Sequence, residues 1–183
     1  MPSATKVWTA EELLYLPEDN KRHELVRGKL RTYPLKGFLR GIIACKLGAE
    51  LRSFADENQL GIVTASCGFL IESDPDSVLA PDVSFVCRRR IDVIGIPEGY
   101  FPGPPDLAVE VIEATDSEHA VSEKIHHWLI TGTKEVWVVR MEEKSITVYR
   151  EDNIVIDLSE NDTLDGGDLI PGFTMPIRDL FAH

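Results

Sequence analysis

The stretch Asp106-Leu-Ala-Val-Glu110-Val-Ile112, then Val121-Ser-Glu-Lys124-Ile125-His-His-Trp128-Leu129, then Glu135-Val-Trp-Val-Val139, decides how this chain folds. The first and last runs read as buried strands. Between them Val121, Ile125, Trp128 and Leu129 share one helical stripe. Strand, helix and strand in turn make an α/β protein. Two charges break the pattern. Lys124 lies three residues after Val121 and four before Trp128, so its stem points toward the core. Glu110 is a lone carboxylate in an apolar run. A charge taken from water and left unpaired is costly, so it needs a partner or a metal. Lys124 is the nearest candidate in sequence, and an ammonium facing a carboxylate from an adjoining element suggests a site.

Upstream, Thr9 and Glu12 have capping-box spacing ahead of Leu13, Leu14 and Leu16, which predicts a short helix before Pro17. His23-Glu24-Leu-Val-Arg-Gly28-Lys-Leu30 predicts a strand, a turn at Gly28 and a second strand. Over residues 37–58, Leu39, Ile42, Ile43, Leu47, Leu51 and Phe54 keep helical period and predict the longest helix. Residues 61–65, 68–71 and 83–87 read as short strands, and residues 72–77, rich in Asp, Ser and Pro, as a loop. Residues 95–105 hold three glycines and four prolines and predict an exposed loop. Downstream, Gly132 falls where a helix C-terminal glycine is expected. Ser145-Ile-Thr-Val-Tyr149 and Asn153-Ile-Val-Ile-Asp157 resemble a hairpin, and the tail is expected to pack back through Phe173 and Phe181. With no internal repeat or linker, residues 1–183 are expected to form one domain.

Composition bounds the function. A 43% apolar content is enough for a core. No stretch approaches the ~20 apolar residues of a membrane span. The start lacks a signal peptide's apolar segment, so a cytoplasmic location is the simplest expectation. Cys45, Cys67 and Cys87 form no CxxC pair and sit beside apolar residues, which predicts buried free thiols and argues against structural zinc. The net charge of −12 argues against a protein that coats nucleic acid non-specifically. Its distribution is uneven: residues 1–100 carry 13 basic and 14 acidic side chains, residues 101–183 carry 6 and 17. A surface meeting a polyanion would therefore come from Lys21, Arg22, Arg27, Lys29 and Arg31, with Arg88, Arg89 and Arg90. Ordinary solvated charge is the simpler account of all of them.

Among the acids, Asp82 opens a strand after Pro81, where local capping would explain it, and Glu24 has the look of an edge charge. Asp106 follows Pro104-Pro105, where turn chemistry suffices. Taken together, two or three acidic oxygens and a lysine are what Mg²⁺-assisted phosphodiester hydrolysis requires: hard oxygens for the ion and an ammonium for developing charge. His126 and His127 point about 100° apart on a helix and cannot chelate one ion as an i, i+4 pair could; both read as surface residues, and His183 is terminal. Ser84 and Ser122 have no evident base, and Trp128 and Trp137 read as core. No nucleophile elbow, phosphate-binding glycine loop or dinucleotide fingerprint is present.

The run Ala80-Pro81-Asp82-Val83-Ser84-Phe85-Val86, then Pro105-Asp106-Leu-Ala-Val-Glu110-Val111, then Lys124, Gly132 and Glu135-Val-Trp137-Val-Val resembles the Uma-two family of restriction-endonuclease-like proteins, in the PD-(D/E)XK nuclease superfamily. The resemblance spans nearly the whole chain, from Glu24-Leu-Val-Arg-Gly28 to Pro171-Gly-Phe-Thr-Met-Pro-Ile-Arg-Asp-Leu-Phe181. It implies a restriction endonuclease-like PD-(D/E)XK core, an α/β (α+β) mixed sheet flanked by helices. It also implies Asp82 and Glu110 as metal ligands, the backbone carbonyl of Val111 as a third, and Glu24 completing the acidic cluster. The superfamily pattern places its lysine two residues after the Glu, where this chain has Ile112; in this family the lysine moves to the following helix, which matches Lys124. The chain departs from the family at Glu113, where a serine is usual, and over residues 35–39, where a histidine is common.

The expectation is a Mg²⁺- or Mn²⁺-dependent endonuclease-like hydrolase of DNA phosphodiesters. In that reading Asp82 and Glu110 hold the metal, Lys124 positions the attacking water or offsets charge, and Glu24 assists. A homodimer is expected by analogy with nucleases that cut duplexes. The acidic surface speaks against DNA and for a rival reading, a non-catalytic dimeric or binding protein that keeps the fold and a relic site. A third reading is a metal hydrolase of a smaller phosphorylated substrate.

Overall fold

Thr9 caps α1 (Ala10–Leu14): its hydroxyl accepts from the Glu12 amide while the Glu12 carboxylate accepts from the Thr9 amide, as the Thr-x-x-Glu spacing predicts. The coordinates, a computed structural model, describe residues 6–182; His183 and the first five residues lie outside the described residues. β1 (Arg22–Val26) and β2 (Lys29–Tyr33) form a hairpin. Its two central residues, Arg27 and Gly28, both have positive φ, +48° and +71°, the condition of a type I′ turn that matches strand twist.

The chain continues through α2 (Phe38–Glu57), β3 (Gly61–Ala65), β4 (Phe69–Glu72), β5 (Ser77–Leu79), β6 (Val83–Cys87), α3 (Arg88–Ile94), β7 (Phe101–Pro102), β8 (Leu107–Ile112), α4 (Glu118–Ile130), β9 (Glu135–Arg140), β10 (Ser145–Arg150), β11 (Val155–Leu158), β12 (Thr163–Asp165), β13 (Thr174–Pro176) and α5 (Ile177–Phe181). Six strands make the larger sheet, in the order β11-β10-β9-β8-β6-β3; a smaller sheet runs β2-β1-β5-β4-β7, and β12 pairs with β13. Both larger sheets are mixed: β8 and β9 are parallel, as are β4 and β7, and the other pairs are antiparallel. A parallel neighbour cannot be reached by a tight turn, so α4 is the crossover that joins β8 to β9. The fold is thus a mixed α/β arrangement of sheets flanked by helices.

All six residues of β8 are buried, because helices cover both faces. Leu107, Val109 and Val111 pack with Ile43, Leu47 and Leu51 of α2 and with the tail residues Phe173, Leu180 and Phe181. Ala108 and Ile112 face the other way, onto Val121, Ile125 and Trp128 of α4, where Phe69, Ile71 and Leu79 of the smaller sheet join them. Side chains alternate along a strand, so Glu110 shares the α4 face with Ala108 and Ile112. The helix is therefore lodged where the two sheets meet, with Glu110 beneath it.

Several expectations are corrected. In α2, Leu39 and Ile42 are exposed, and the buried stripe is Arg40, Ile43, Leu47, Leu51 and Ala55. The expected positions Ile43, Leu47 and Leu51 are buried, while Leu39 and Ile42 lie off that stripe. Residues 95–105 are not wholly loop, since β7 adds Phe101 to the smaller sheet as a buried residue. Cys45 and Cys67 are exposed and Cys87 is half-buried; a neighbouring apolar residue says nothing about which face of an element a thiol occupies. Arg88, Arg89 and Arg90, read as ordinary solvated charge, open α3, with Arg88 and Arg89 exposed. Among the described residues no helix is long and apolar enough to cross a membrane.

Candidate active site

Lys124 does what its position on α4 predicts. Its ammonium lies 2.9 Å from Glu110 Oε1 and 3.0 Å from Oε2, 3.2 Å from Glu24 Oε1 and 3.2 Å from the Ala80 carbonyl. An ammonium has three protons, and these three groups take them. Glu110 Oε1 also accepts from the indole N–H of Trp128, at 3.0 Å. Glu24 also accepts from the Ala80 amide at 3.2 Å and from Arg22 at 2.5 Å. One residue, Ala80, thereby offers its amide to the Glu24 carboxylate and its carbonyl to the Lys124 ammonium.

Asp82 stands next to this group. Its Oδ2 accepts from the Val111 amide and from Arg40 Nη2, both at 2.7 Å, and its Oδ1 lies 3.5 Å from Arg22. Arg22 bridges Glu24 and Asp82. The structure thus brings Glu24, Asp82, Glu110 and Lys124 into one cluster. It involves Val111 through its amide. Sequence reasoning missed Arg40, saw Arg22 only as surface charge and took Trp128 for core alone. Arg40 carried a signal all the same: it interrupts the stripe Ile43, Leu47, Leu51 as Lys124 interrupts that of α4.

Three carboxylates therefore face three cations, Arg22, Arg40 and Lys124, in a largely dry space: Glu24 is 1% exposed, Glu110 3% and Arg40 3%. Burial pushes the Glu24 carboxyl up, but Lys124 and Arg22 outweigh it and hold it below the usual range. Burial also pushes Glu110 up; Lys124 pulls it down, yet the charges of Asp82 and Glu24 add to the rise and it stays above its ordinary value. Burial would lower Lys124, and Glu110 and Glu24 reverse that and raise it. A lysine held in this way stays an ammonium, so it can donate and cannot serve as a base.

Glu24, Glu110 and Lys124, with Arg22 and Arg40, line a cleft of about 420 Å³; Asp82 lines an adjoining hollow of about 480 Å³ that shares Arg22, Lys36 and Leu79 with it. Six basic side chains line the cleft (Arg22, Arg27, Arg31, Lys36, Arg40 and Lys124) against four acids, Glu24, Glu110, Asp116 and Glu123. In a chain of net charge −12 the cleft is locally cationic, which answers the main objection to a polyanionic ligand. His126 is exposed, and His127 lies 3.1 Å from Glu72; neither joins the cluster.

Asp106 lies outside the cleft, and turn chemistry does not account for it. It is 2% exposed, accepts from the Cys87 amide at 2.9 Å and pairs with Arg90 at 3.2 Å and Lys134 at 3.5 Å. Burial pushes its carboxyl up, but the Cys87 amide and Arg90 hold it below the ordinary value of 3.8. Its contribution to stability is therefore present above pH 3.8 and fades as pH falls through the lower folded value. Asp106→Asn is expected to cost about 2 kcal/mol near neutrality and to flatten the acid limb. Urea midpoints of both proteins measured across the acid range check this; parallel pH profiles would refute it.

The family model described as "Putative restriction endonuclease" matches residues 10–178. No curated protein matches the chain. Among solved structures, a chain from Anabaena variabilis described as a "putative nuclease" of a family of unknown function superposes with a TM-score of 0.79 at 22% identity, covering 94% of this chain and 97% of its own. At that identity the likeness establishes the fold.

Proposed function

Because the chain belongs to the family described as "Putative restriction endonuclease", we propose that it is a divalent-metal-dependent hydrolase of DNA phosphodiesters working at the cluster of Glu24, Asp82, Glu110 and Lys124. The observation that carries this reading is the half-buried ammonium of Lys124 between two buried carboxylates that line a cationic cleft.

The donor chemistry suits Mg²⁺ or Mn²⁺. Among the described residues no three carboxylate, imidazole or thiol side chains stand together as a metal group. Mg²⁺ asks for less, since one or two carboxylates suffice with waters and substrate phosphate oxygens. Asp82 and Glu110 would supply these, and the Val111 carbonyl would be the third protein oxygen. When bound, the ion would polarise the phosphoryl group and ease deprotonation of the attacking water. The remaining work falls to the chain. With its three protons taken by Glu110, Glu24 and the Ala80 carbonyl, Lys124 would act through its positive charge, offsetting the charge that builds on the phosphoryl oxygens. Glu24 and the Ala80 carbonyl aim the ammonium, and Trp128 fixes the Glu110 carboxylate so that neither must reorganise during reaction.

One observation favours a second reading, a non-catalytic binding protein with a relic site: the cluster already balances its three carboxylates with its own three cations. Metal binding separates the two. Under the first reading Mn²⁺ raises the thermal midpoint, by an amount that corresponds to about 2.7 kcal/mol at a hundredfold excess over Kd. Asp82→Asn and Glu110→Gln lose the response. Supercoiled plasmid and single-stranded circular DNA are then incubated with Mn²⁺. Cutting of either, abolished by EDTA, supports the hydrolase; no metal response and no cutting refute it.

A further inference from the structure

The shape of the cleft narrows the substrate. Its volume of about 420 Å³ lies in the range of pockets that enclose a small molecule. It is bounded by the β1–β2 hairpin and by α4, and Arg31 meets Glu123 across that boundary at 3.4 Å. At another point Lys36 and Arg40 of the α2 region reach Asp116 at 3.9 Å and 3.0 Å. The exposed Arg31–Glu123 pair adds little stability, but all three pairs fix how near the walls stand. Glu24, Glu110 and Lys124 line the cleft together with uncharged surface. Val26, Leu79, Ile112, Val121 and Ile130 contribute aliphatic groups, Val26 and Ile130 the more open of them, and Tyr33 is the one Phe, Tyr or Trp side chain among the lining residues. Arg27, at the hairpin turn, is exposed and has no ion-pair partner among the described residues.

An intact duplex suits this arrangement poorly. It presents phosphates outward from a stiff stack and hides its base faces, so Tyr33 would gain nothing. An unpaired nucleotide has parts that match this lining. Its base face would meet Tyr33, its phosphate would reach Lys124, and a flanking phosphate would meet Arg27. We infer that the cleft takes one unpaired nucleotide of a DNA strand at a time, so that the substrate is single-stranded or frayed DNA and not continuous duplex. The inference rests on the phosphodiester chemistry proposed for the same cluster and goes beyond it in naming the state of the strand.

Fluorescence anisotropy of a labelled oligothymidylate and of a blunt hairpin duplex, at one fixed salt concentration with Ca²⁺ in place of Mn²⁺, tests it. The single strand is expected to bind at least about tenfold more tightly. Tyr33→Ala is expected to weaken that binding by about tenfold and Tyr33→Phe to preserve it, since stacking needs the ring and not the hydroxyl. Arg27→Ala, at an exposed turn, is expected to lower the salt dependence by about one phosphate contact. Equal or tighter binding of the hairpin, or single-strand binding indifferent to Tyr33→Ala and Arg27→Ala alike, overturns the inference. Preferential cutting of duplex overturns it while leaving the hydrolase intact, and a protein that neither binds nor cuts either DNA form ends both.

Discussion

Lys124→Met is expected to lower folding stability by about 3–5 kcal/mol and to reduce Mn²⁺-dependent DNA cleavage by about a hundredfold or more. The side chain of Lys124 is 20% exposed and its two carboxylate partners 2% and 4%, so solvent screens little of the interaction. Methionine keeps much of the stem's packing and removes only the ammonium. Glu24 would retain Arg22, but Glu110 would keep a single donor, the Trp128 indole. A buried carboxylate stripped of its counter-charge is a far larger penalty than the loss of a surface pair, worth about 0–1 kcal/mol. The diagnostic is the double variant. Glu110→Gln in the Lys124→Met background neutralises the stranded acid and is expected to return part of the lost stability. Urea unfolding of the four proteins supplies the cycle. A loss below about 1 kcal/mol for Lys124→Met would mean that the cluster behaves as a solvated surface network.

Arg40→Met is expected to move stability and metal binding in opposite directions. Its guanidinium is 3% exposed and joins Asp82 to Asp116, so its removal should also cost about 3–5 kcal/mol. Yet Arg40 occupies Asp82 Oδ2, an oxygen that a dication would want. Taking away that competing charge is expected to tighten Mn²⁺ binding by about tenfold, a coupling of ordinary size between two ligands of one group. Calorimetric titration with Mn²⁺, under conditions where the variant remains folded, reads this directly. If the variant binds Mn²⁺ no better than the wild type, Arg40 and the metal do not compete for Asp82.

The interior of the fold was readable because its signals are periodic. The β8–α4–β9 unit, the α2 helix and the β10–β11 hairpin follow from spacing, and the β1–β2 hairpin follows from Gly28 at its turn. The missed elements are those whose stability lies outside themselves. β5 has three residues and β7 two, and each is ordered by a neighbouring strand; no local pattern marks such a segment. α3 has no buried residue, so periodicity is silent and only a run of arginines is visible. Within the site, Lys124 and Glu110 announced themselves as charges in apolar company. Asp82 and Glu24 had bland local accounts, and only the family resemblance set them beside the other two. Arg40 was hidden by phase: Leu39 and Ile42 have the right period for α2 but lie on its exposed side. Which side of a helix turns inward is decided by what it packs against.

Arg22 and Glu24 are anchored in the smaller sheet, while Glu110 belongs to the larger one and Lys124 to the helix lodged between them. The ion cluster therefore acts as a rivet between two separately hydrogen-bonded slabs. A slight parting of the slabs would scatter its six charges while each ladder stayed whole. Under mild heat the cluster would accordingly come apart before any loss of strand content, and the cleft would be the most fragile part of an otherwise durable scaffold.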